Sequence, residues 1–290
     1  MIDTLYFAEK NLPYTLEILE RYGRKATILA GGTDLVPRIN RYQLMPEILI
    51  YIGNMGLDYI RERNGRLLIG AATSMATIAH SSKVIRKAPA LAEAASLAAI
   101  PAIRSVATIG GNIANASPSA DLDPPLLVLD AELMIKSSKG ERIVPIASFF
   151  KGPGRTVLKP GELITEISIP VLKGKGVFLK LGRRKAMTHS VVNVAVRLEM
   201  NRGNCNDVRI AVGGVAPTPL RCLKAEEMLR GENINPELIR RAAETAMAAS
   251  RPVDDRRSSA WYRREAGTAL VTRALAMAAD IEIGEEVTTP

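Results

Sequence analysis

The sequence predicts an α+β protein in three parts: a small β-α-β unit over residues 1–56, an antiparallel sheet with helices over 57–173, and three strands followed by helices over 174–290. Three observations carry this reading. An apolar β-type run, Ile28-Leu29-Ala30, follows a helical pattern and stops at Gly31-Gly32, the order of a β-α-β unit whose loop lies at the carboxyl end of a strand. Asn64-Gly65 between two apolar runs is the strongest two-residue hairpin signal in the chain, so antiparallel pairing begins there. Beyond Lys173-Gly174-Lys175-Gly176, three β-type runs give way to helical periodicity. With 290 residues, 47% of them hydrophobic and 24% charged, the chain has the apolar content to fill two or three such units.

Taken in order, Leu12 to Tyr22 shows an apolar helical face through Leu16, Ile18 and Leu19, and Gly23 ends it. A strand over Ala26 to Ala30 leads into the first glycine pair, a helix starts near Asp34, Pro46 stops it, and Glu47 to Ile52 is apolar and strand-like. Leu57 to Arg63 and Arg66 to Ala72 form the hairpin. Ala76 to Ser81 and Ala90 to Ala99 are alanine-rich helices, the second entered by Pro89. After a short apolar helix from Pro125 to Leu129 come strands over Glu132 to Ser137, Arg142 to Pro145 and Leu163 to Val171. Val177 to Leu181, Val191 to Met200 and Val208 to Val215 are the last strands. Leu220 to Leu229 is helical, Asn235-Pro236 caps a helix to Ala249, and Ser258 or Ser259 caps another to about Ala279.

The residues that point to chemistry lie in two glycine stretches. Val106 to Pro125, VATIGGNIANASPSADLDPP, sets Gly110-Gly111 after Thr108-Ile109, then Asn112, Ser117, Ser119, Asp121 and Asp123 around prolines. Glycine pairs and Ser-Pro or Asp-Pro steps interrupt both helix and strand, so this stretch is expected to be a long loop rich in accessible backbone. Thr27 to Leu35, TILAGGTDL, repeats the chemistry: strand, Gly31-Gly32, hydroxyl (Thr33), carboxylate (Asp34). Glycines let main-chain N–H groups approach an anion without a Cβ in the way. Two such loops suit the gripping of one diphosphate.

Other chemistries are disfavoured. Cys205 and Cys222 supply no disulfide framework and no zinc or iron–sulfur spacing, and are expected to be reduced thiols in the cytoplasm. The opening MIDTLYFAEKN does not read as a signal peptide, and no apolar run reaches the roughly 18 residues of a membrane span. The formal net charge is +9, but the basic residues sit in short groups with acids nearby and few aromatics between them. This favours a solvated surface or an acidic partner over a nucleic-acid groove. His80 and His189 are isolated, there is no HExxH or Ser-His-Asp order, and neither glycine stretch has GxGxxG spacing. An ordinary nicotinamide dehydrogenase is therefore not expected.

AGGTDL (Ala30 to Leu35), TIGGN (Thr108 to Asn112), SPSAD (Ser117 to Asp121), GELITEISIP and FLKLGRRKA (Phe178 to Ala186) together resemble the FAD-binding medium subunit of molybdenum hydroxylases, the family of xanthine and carbon monoxide dehydrogenases. The resemblance runs from Tyr6-Phe7 to Tyr262-Arg263-Arg264. It implies a PCMH-type (vanillyl-alcohol-oxidase-type) fold in which two subdomains hold FAD, followed by a C-terminal three-stranded sheet with helices. It also implies that Ile28, Leu29, Ala30, Gly31, Gly32, Thr33, Asp34 and Leu35, with Thr108, Ile109, Gly110, Gly111 and Asn112, hold the diphosphate through N–H and hydroxyl groups. Asp121 matches a ribose- or adenine-side acid, Ile164 or Leu163 an apolar adenine contact, and Lys180 a flavin-side lysine. On residue chemistry alone Asp121 could instead cap the following helix, Lys180 could be a strand-edge charge, and Arg183-Arg184-Lys185 could be a solvated run. As partners the resemblance implies a small [2Fe–2S] subunit and a large molybdopterin subunit, in a dimer of heterotrimers. Electrons would pass to NAD, a quinone, oxygen or another external acceptor. The alternatives are a stand-alone NAD(P)H-dependent flavin reductase on the same fold and a basic nucleic-acid-binding module.

Overall fold

The computed structural model describes residues 4–184 and 187–283. The first unit comprises β1 (Leu5–Phe7), α1 (Leu12–Tyr22), β2 (Ala26–Leu29), α2 (Leu35–Asn40) and β3 (Ile48–Tyr51). Its strands are parallel in the order β1-β3-β2, with Ile28 opposite Ile50. α1 begins where the Asn11 side chain accepts the Tyr14 N–H, with Pro13 in the first turn, and ends at Gly23 with φ +51°. Its buried face, Leu16, Ile18 and Leu19, packs with Ile48 and Ile50 into a small core.

The second unit opens with β4 (Ile60–Arg63) and β5 (Arg66–Gly70), whose turn holds Asn64 at φ +50° and Gly65 at φ +69°. Two successive positive φ values are the type I′ geometry that matches strand twist. Next come α3 (Met75–His80), α4 (Ser82–Lys87), α5 (Pro89–Leu97), α6 (Pro101–Arg104), α7 (Ile109–Asn115) and α8 (Asp123–Val128). The strands β6 (Glu132–Ser137), β7 (Gly140–Pro145), β8 (Phe150–Gly152), β9 (Arg155–Thr156) and β10 (Leu163–Pro170) follow. The main sheet runs β4-β5-β10-β6-β7, all antiparallel; β8 and β9 pair separately.

The third unit has β11 (Lys175–Gly182), β12 (Ser190–Asn201) and β13 (Asn204–Gly213), a short fourth strand β14 (Leu220–Arg221), and helices α9 (Leu223–Leu229), α10 (Pro236–Ala248) and α11 (Ala260–Ala279). Asn235 and Ser259 cap α10 and α11 through side-chain oxygens. The valine-rich strand β12 is buried on both faces, between α11 on one side and α8 on the other. Phe178, Ala195 and Ala211 therefore join the core of the second unit. No described helix is long and apolar enough to cross a membrane.

The expectation that Val106 to Pro125 is one long loop is overturned: α7 runs through Gly110-Gly111, and α8 starts at Asp123. Two glycines cost a helix roughly 2 kcal/mol against alanine. Burial of Ile109 and Ile113, both fully inaccessible, returns roughly 1.5–3 kcal/mol each. The Thr108 hydroxyl accepts the Gly111 N–H at 3.1 Å, capping the helix. A side chain at Gly110 would lie 2.7 Å from the Cβ and carbonyl oxygen of Ala71, so that glycine is needed for close packing on the end of β5. The helices α4 and α6 were also not anticipated.

Candidate functional site

The parallel sheet of the first unit delivers the chain at the carboxyl end of β2 into the loop Ala30 to Asp34. There Gly32 turns at φ +70°. Gly31 lies against the second unit so closely that a Cβ would overlap the Val106 carbonyl oxygen. The last sheet bond is Ile52 N–H to the Leu29 carbonyl. Beyond it, among the described residues, the N–H groups of Gly31, Gly32, Thr33, Asp34 and Leu35 donate to no protein acceptor. A consecutive run of open donors is the backbone arrangement that binds anions.

The opposite wall is the start of α7, and its chemistry differs from expectation. The Ile109 and Gly110 N–H groups donate to the Thr73 and Ala71 carbonyls, Gly111 to the Thr108 hydroxyl, and Asn112 to the Thr108 carbonyl. TIGGN thus offers no second open run: among the described residues only its Thr108 N–H lacks a protein acceptor, while two donors hold α7 to the segment just after β5 and two turn back onto Thr108. It offers the Asn112 side chain, whose Oδ1 is buried without a partner among the described residues.

Between the two walls lies a cavity of about 300 Å³. Of the anticipated residues, Ile28, Ala30, Gly31, Gly32, Thr33, Asp34, Leu35, Thr108, Gly110, Gly111, Asn112 and Ile164 line it, as does Leu163. Leu29, Ile109, Asp121 and Lys180 do not. Leu29 is held in β2, and Ile109 points into the core of the second unit. Glu162 also lines the cavity, gripped by Arg142 through two bonds of 2.8 Å, and Arg142 holds its carboxyl below the usual range. Open N–H donors, an orphan amide oxygen and apolar walls fit a diphosphate-bearing nucleotide.

Asp121 and Lys180 meet each other instead of the cavity, 2.6 Å apart with side chains 10% and 7% exposed. Lys180 also donates to the Leu97 carbonyl, and Asp121 Oδ1 accepts Ser190 Oγ at 2.5 Å and Asn193 Nδ2 at 2.9 Å. Asp121 therefore does not cap α8, where no side-chain cap bond is present, and Lys180 is not an exposed strand-edge charge. Nearby Asp123 is 1% exposed with both carboxyl oxygens unpartnered among the described residues, and burial followed by the Asp121 charge raises its pKa well above the ordinary value. His189 is pushed below its usual pKa, first by burial and then by Arg257. His80 Nδ1 meets the Ala76 carbonyl within α3. Arg183 and Arg184 are exposed and bind the Arg256 and Met187 carbonyls; Lys185 and Ala186 lie outside the described residues.

Residues 2–172 match the family described as the FAD binding domain in molybdopterin dehydrogenase, and residues 177–278 match the CO dehydrogenase flavoprotein C-terminal domain. The chain belongs to this flavoprotein family. FAD is its cofactor, and it is an oxidoreductase subunit of the molybdenum hydroxylase type. The glyceraldehyde dehydrogenase medium chain of Sulfolobus acidocaldarius is 32% identical over 270 residues, 93% of this chain and 96% of that one. The carbon monoxide dehydrogenase medium chain of Hydrogenophaga pseudoflava is 33% identical over 272 residues, 93% and 95% of the two chains. The reconstituted CO dehydrogenase from Oligotropha carboxidovorans superposes with a TM-score of 0.92 at 31% identity, covering 97% of this chain and 99% of that chain.

Sequence reasoning on the flavoprotein missed Glu162, Met75, Leu158 and Ile52 as cavity residues. Glu162 sits one residue before Leu163 in the quoted GELITEISIP motif, and its partner Arg142 comes from β7. Only the strand pairing brings these two together.

Proposed function

We propose that the chain binds the FAD diphosphate on the open N–H run of Gly31 to Leu35. The 300 Å³ cavity walled by α7, Ile164 and Leu163 would take the attached nucleoside. That run of open donors, aimed at a cavity between two units, is the observation that carries the reading. Asn112 Oδ1 is placed to accept from a hydroxyl or amine, and Glu162, kept anionic by Arg142, can do the same. The Asp121–Lys180 pair with Ser190 and Asn193 is a preformed polar cluster; we assign it to the flavin side, where a buried lysine sets local potential.

Bound FAD exchanges electrons singly with iron–sulfur clusters and singly or as hydride with other acceptors. The chain's own residues then bind, orient and exclude water, and no side chain need act as an obligatory acid or base. We place the subunit in a complex with a small [2Fe–2S] subunit and a large molybdopterin subunit, between those clusters and an external acceptor. The relatives' designations as medium chains and FAD-binding subunits support this. Affinity purification of the tagged chain from its native cell tests it: stoichiometric FAD with co-eluting subunits that carry molybdenum and iron is the expected result. A chain that purifies alone and oxidises NADPH without partners would sink it in favour of a self-sufficient reductase.

A further inference from the structure

Arg197 of β12 is 4% exposed, yet only one end of its guanidinium is paired. Nη2 meets Asp207 at 2.7 Å and Glu199 at 3.8 Å. Nε and Nη1 are buried and, among the described residues, have no hydrogen-bond partner. Asp207 is itself divided, since Arg209 and Arg230 approach it at 3.3 and 3.5 Å. Burial pushes the Arg197 pKa below its usual value. A buried guanidinium with open N–H groups and a shared counter-ion is costly unless something accepts from it.

Arg197 lines a small cavity of about 10 Å³ on the seam between the second and third units. Opposite it in the β11–β12 ladder stands Gly176, where a Cβ would lie 3.2 Å from Pro89 Cγ and 3.5 Å from the Ala90 nitrogen. The start of β11 is thus set against the first turn of α5, a helix of 9 residues without a side-chain cap. Pro89 has no N–H, so the Ala90 N–H is the first donor of that helix, and among the described residues it has no protein acceptor. Lys87, 3.3 Å from Glu62, is the other polar side chain on the wall; the rest is apolar or glycine, and exposed Pro89 and Gly174 mark the mouth. A space of roughly 10–15 Å³ takes one water, which is too little for a sulfate or a carboxylate. A water would accept from Arg197 but bring two O–H donors to a wall whose side chains hold no acceptor. The Ala88 carbonyl already takes the Leu91 and Ala92 N–H groups, and the Val128 carbonyl takes Arg209. A monoatomic anion needs donors only, and the positive end of α5 favours it.

We propose that Arg197, with the Ala90 N–H at the start of α5, holds a single halide ion, chloride in the cell, which ties the third unit to the second beside the joint at Gly174 to Gly176. None of these residues lines the cavity between the glycine motifs, so the site stands or falls apart from the proposed function.

Bromide, which takes the place of chloride and scatters anomalously, tests the assignment in crystals of the FAD-loaded complex. The expected result is an anomalous peak within hydrogen-bond reach of the Arg197 guanidinium and the Ala90 nitrogen, lost in Arg197→Gln crystals that keep their other bromide peaks. Density there without anomalous signal, a water, would overturn the site, as would a bromide confined to the exposed end of Lys87. In solution, the thermal midpoint followed by flavin fluorescence should rise saturably when chloride replaces gluconate at constant ionic strength. Arg197→Gln should lose that rise, and Arg264→Gln, at an exposed arginine of α11, should keep it. Equal midpoints in the two salts, or an undiminished rise in Arg197→Gln, would contradict the proposal. Should Arg197→Gln fail to fold, the wild-type peak and the wild-type salt comparison decide it alone.

Discussion

Gly31 and Gly65 both follow or precede apolar strands, and the structure makes opposite demands on them. At Gly65 (φ +69°) an added Cβ meets nothing within 4 Å, so Gly65→Ala carries only left-handed backbone strain, about 1 kcal/mol. At Gly31 the Cβ would strike the Val106 backbone, which cannot swing aside as a side chain can. Gly31→Ala should cost at least about 2–3 kcal/mol or displace the donor loop. Urea midpoints and bound flavin of the purified variants check this: Gly65→Ala stays loaded, Gly31→Ala does not. Gly65 was legible because adjacent residues set its role; Gly31 was legible as the glycine that ends a strand, but its close approach to Val106, distant in sequence, was not. Glu162 was not, because its charge state is fixed by Arg142 on β7, two strands away from β10 in the sheet. Asp123 was read only as one of two carboxylates among prolines, and nothing adjacent reveals that α8 buries it. Its folded pKa is raised, so between the unfolded value near 3.9 and the folded one the native state binds more protons, and stability falls as pH rises. Asp123→Asn removes that slope. Its Tm should match the wild type near pH 4 and exceed it increasingly toward neutrality; a constant offset across pH would contradict the buried, unpartnered carboxyl.

Among the elements, α7 shows how packing overrides propensity. Its glycines argue against helix, yet Thr108 caps it, the Ala71 and Thr73 carbonyls just after β5 anchor it, and Ile109 and Ile113 fill the core below. Thr108→Ala should lose about 1 kcal/mol and Thr108→Ser much less, measured by chemical denaturation. α11 is joined to β12 by Arg263, 4% exposed, which donates to the Val191 and Gly214 carbonyls and to Asp255. Arg263→Ala strands those acceptors and should cost about 3 kcal/mol or more, seen as a lowered Tm. A drop under about 1 kcal/mol would mean that the clamp matters little. The hairpin at Asn64-Gly65 and the caps at Asn235 and Ser259 were readable because each depends on neighbours in sequence. The short strands β8, β9 and β14 carry no periodicity and depend on partners supplied by the fold.

Across the whole molecule, the first two units meet where Gly31 touches Val106, and the second and third share a core through Phe178, Ala195 and Ala211. Cavity-lining groups gather at the first seam and the polar Asp121–Lys180 cluster at the second. This two-seam arrangement explains why the glycine motifs could be paired from sequence while the Asp121–Lys180 contact could not: one side of each seam is chemically marked, but only the Gly31 seam is marked on both. The central claim is that a single open run of backbone donors, and not two, holds the cofactor's diphosphate. A density map of the FAD-loaded complex measures this directly. The account predicts diphosphate oxygens within hydrogen-bond reach of the Gly31 to Leu35 N–H groups, with the Ile109 and Gly110 N–H groups still bonded to Thr73 and Ala71. A diphosphate held away from Gly31 to Leu35, or one that draws the α7 N–H groups off those carbonyls, would contradict it.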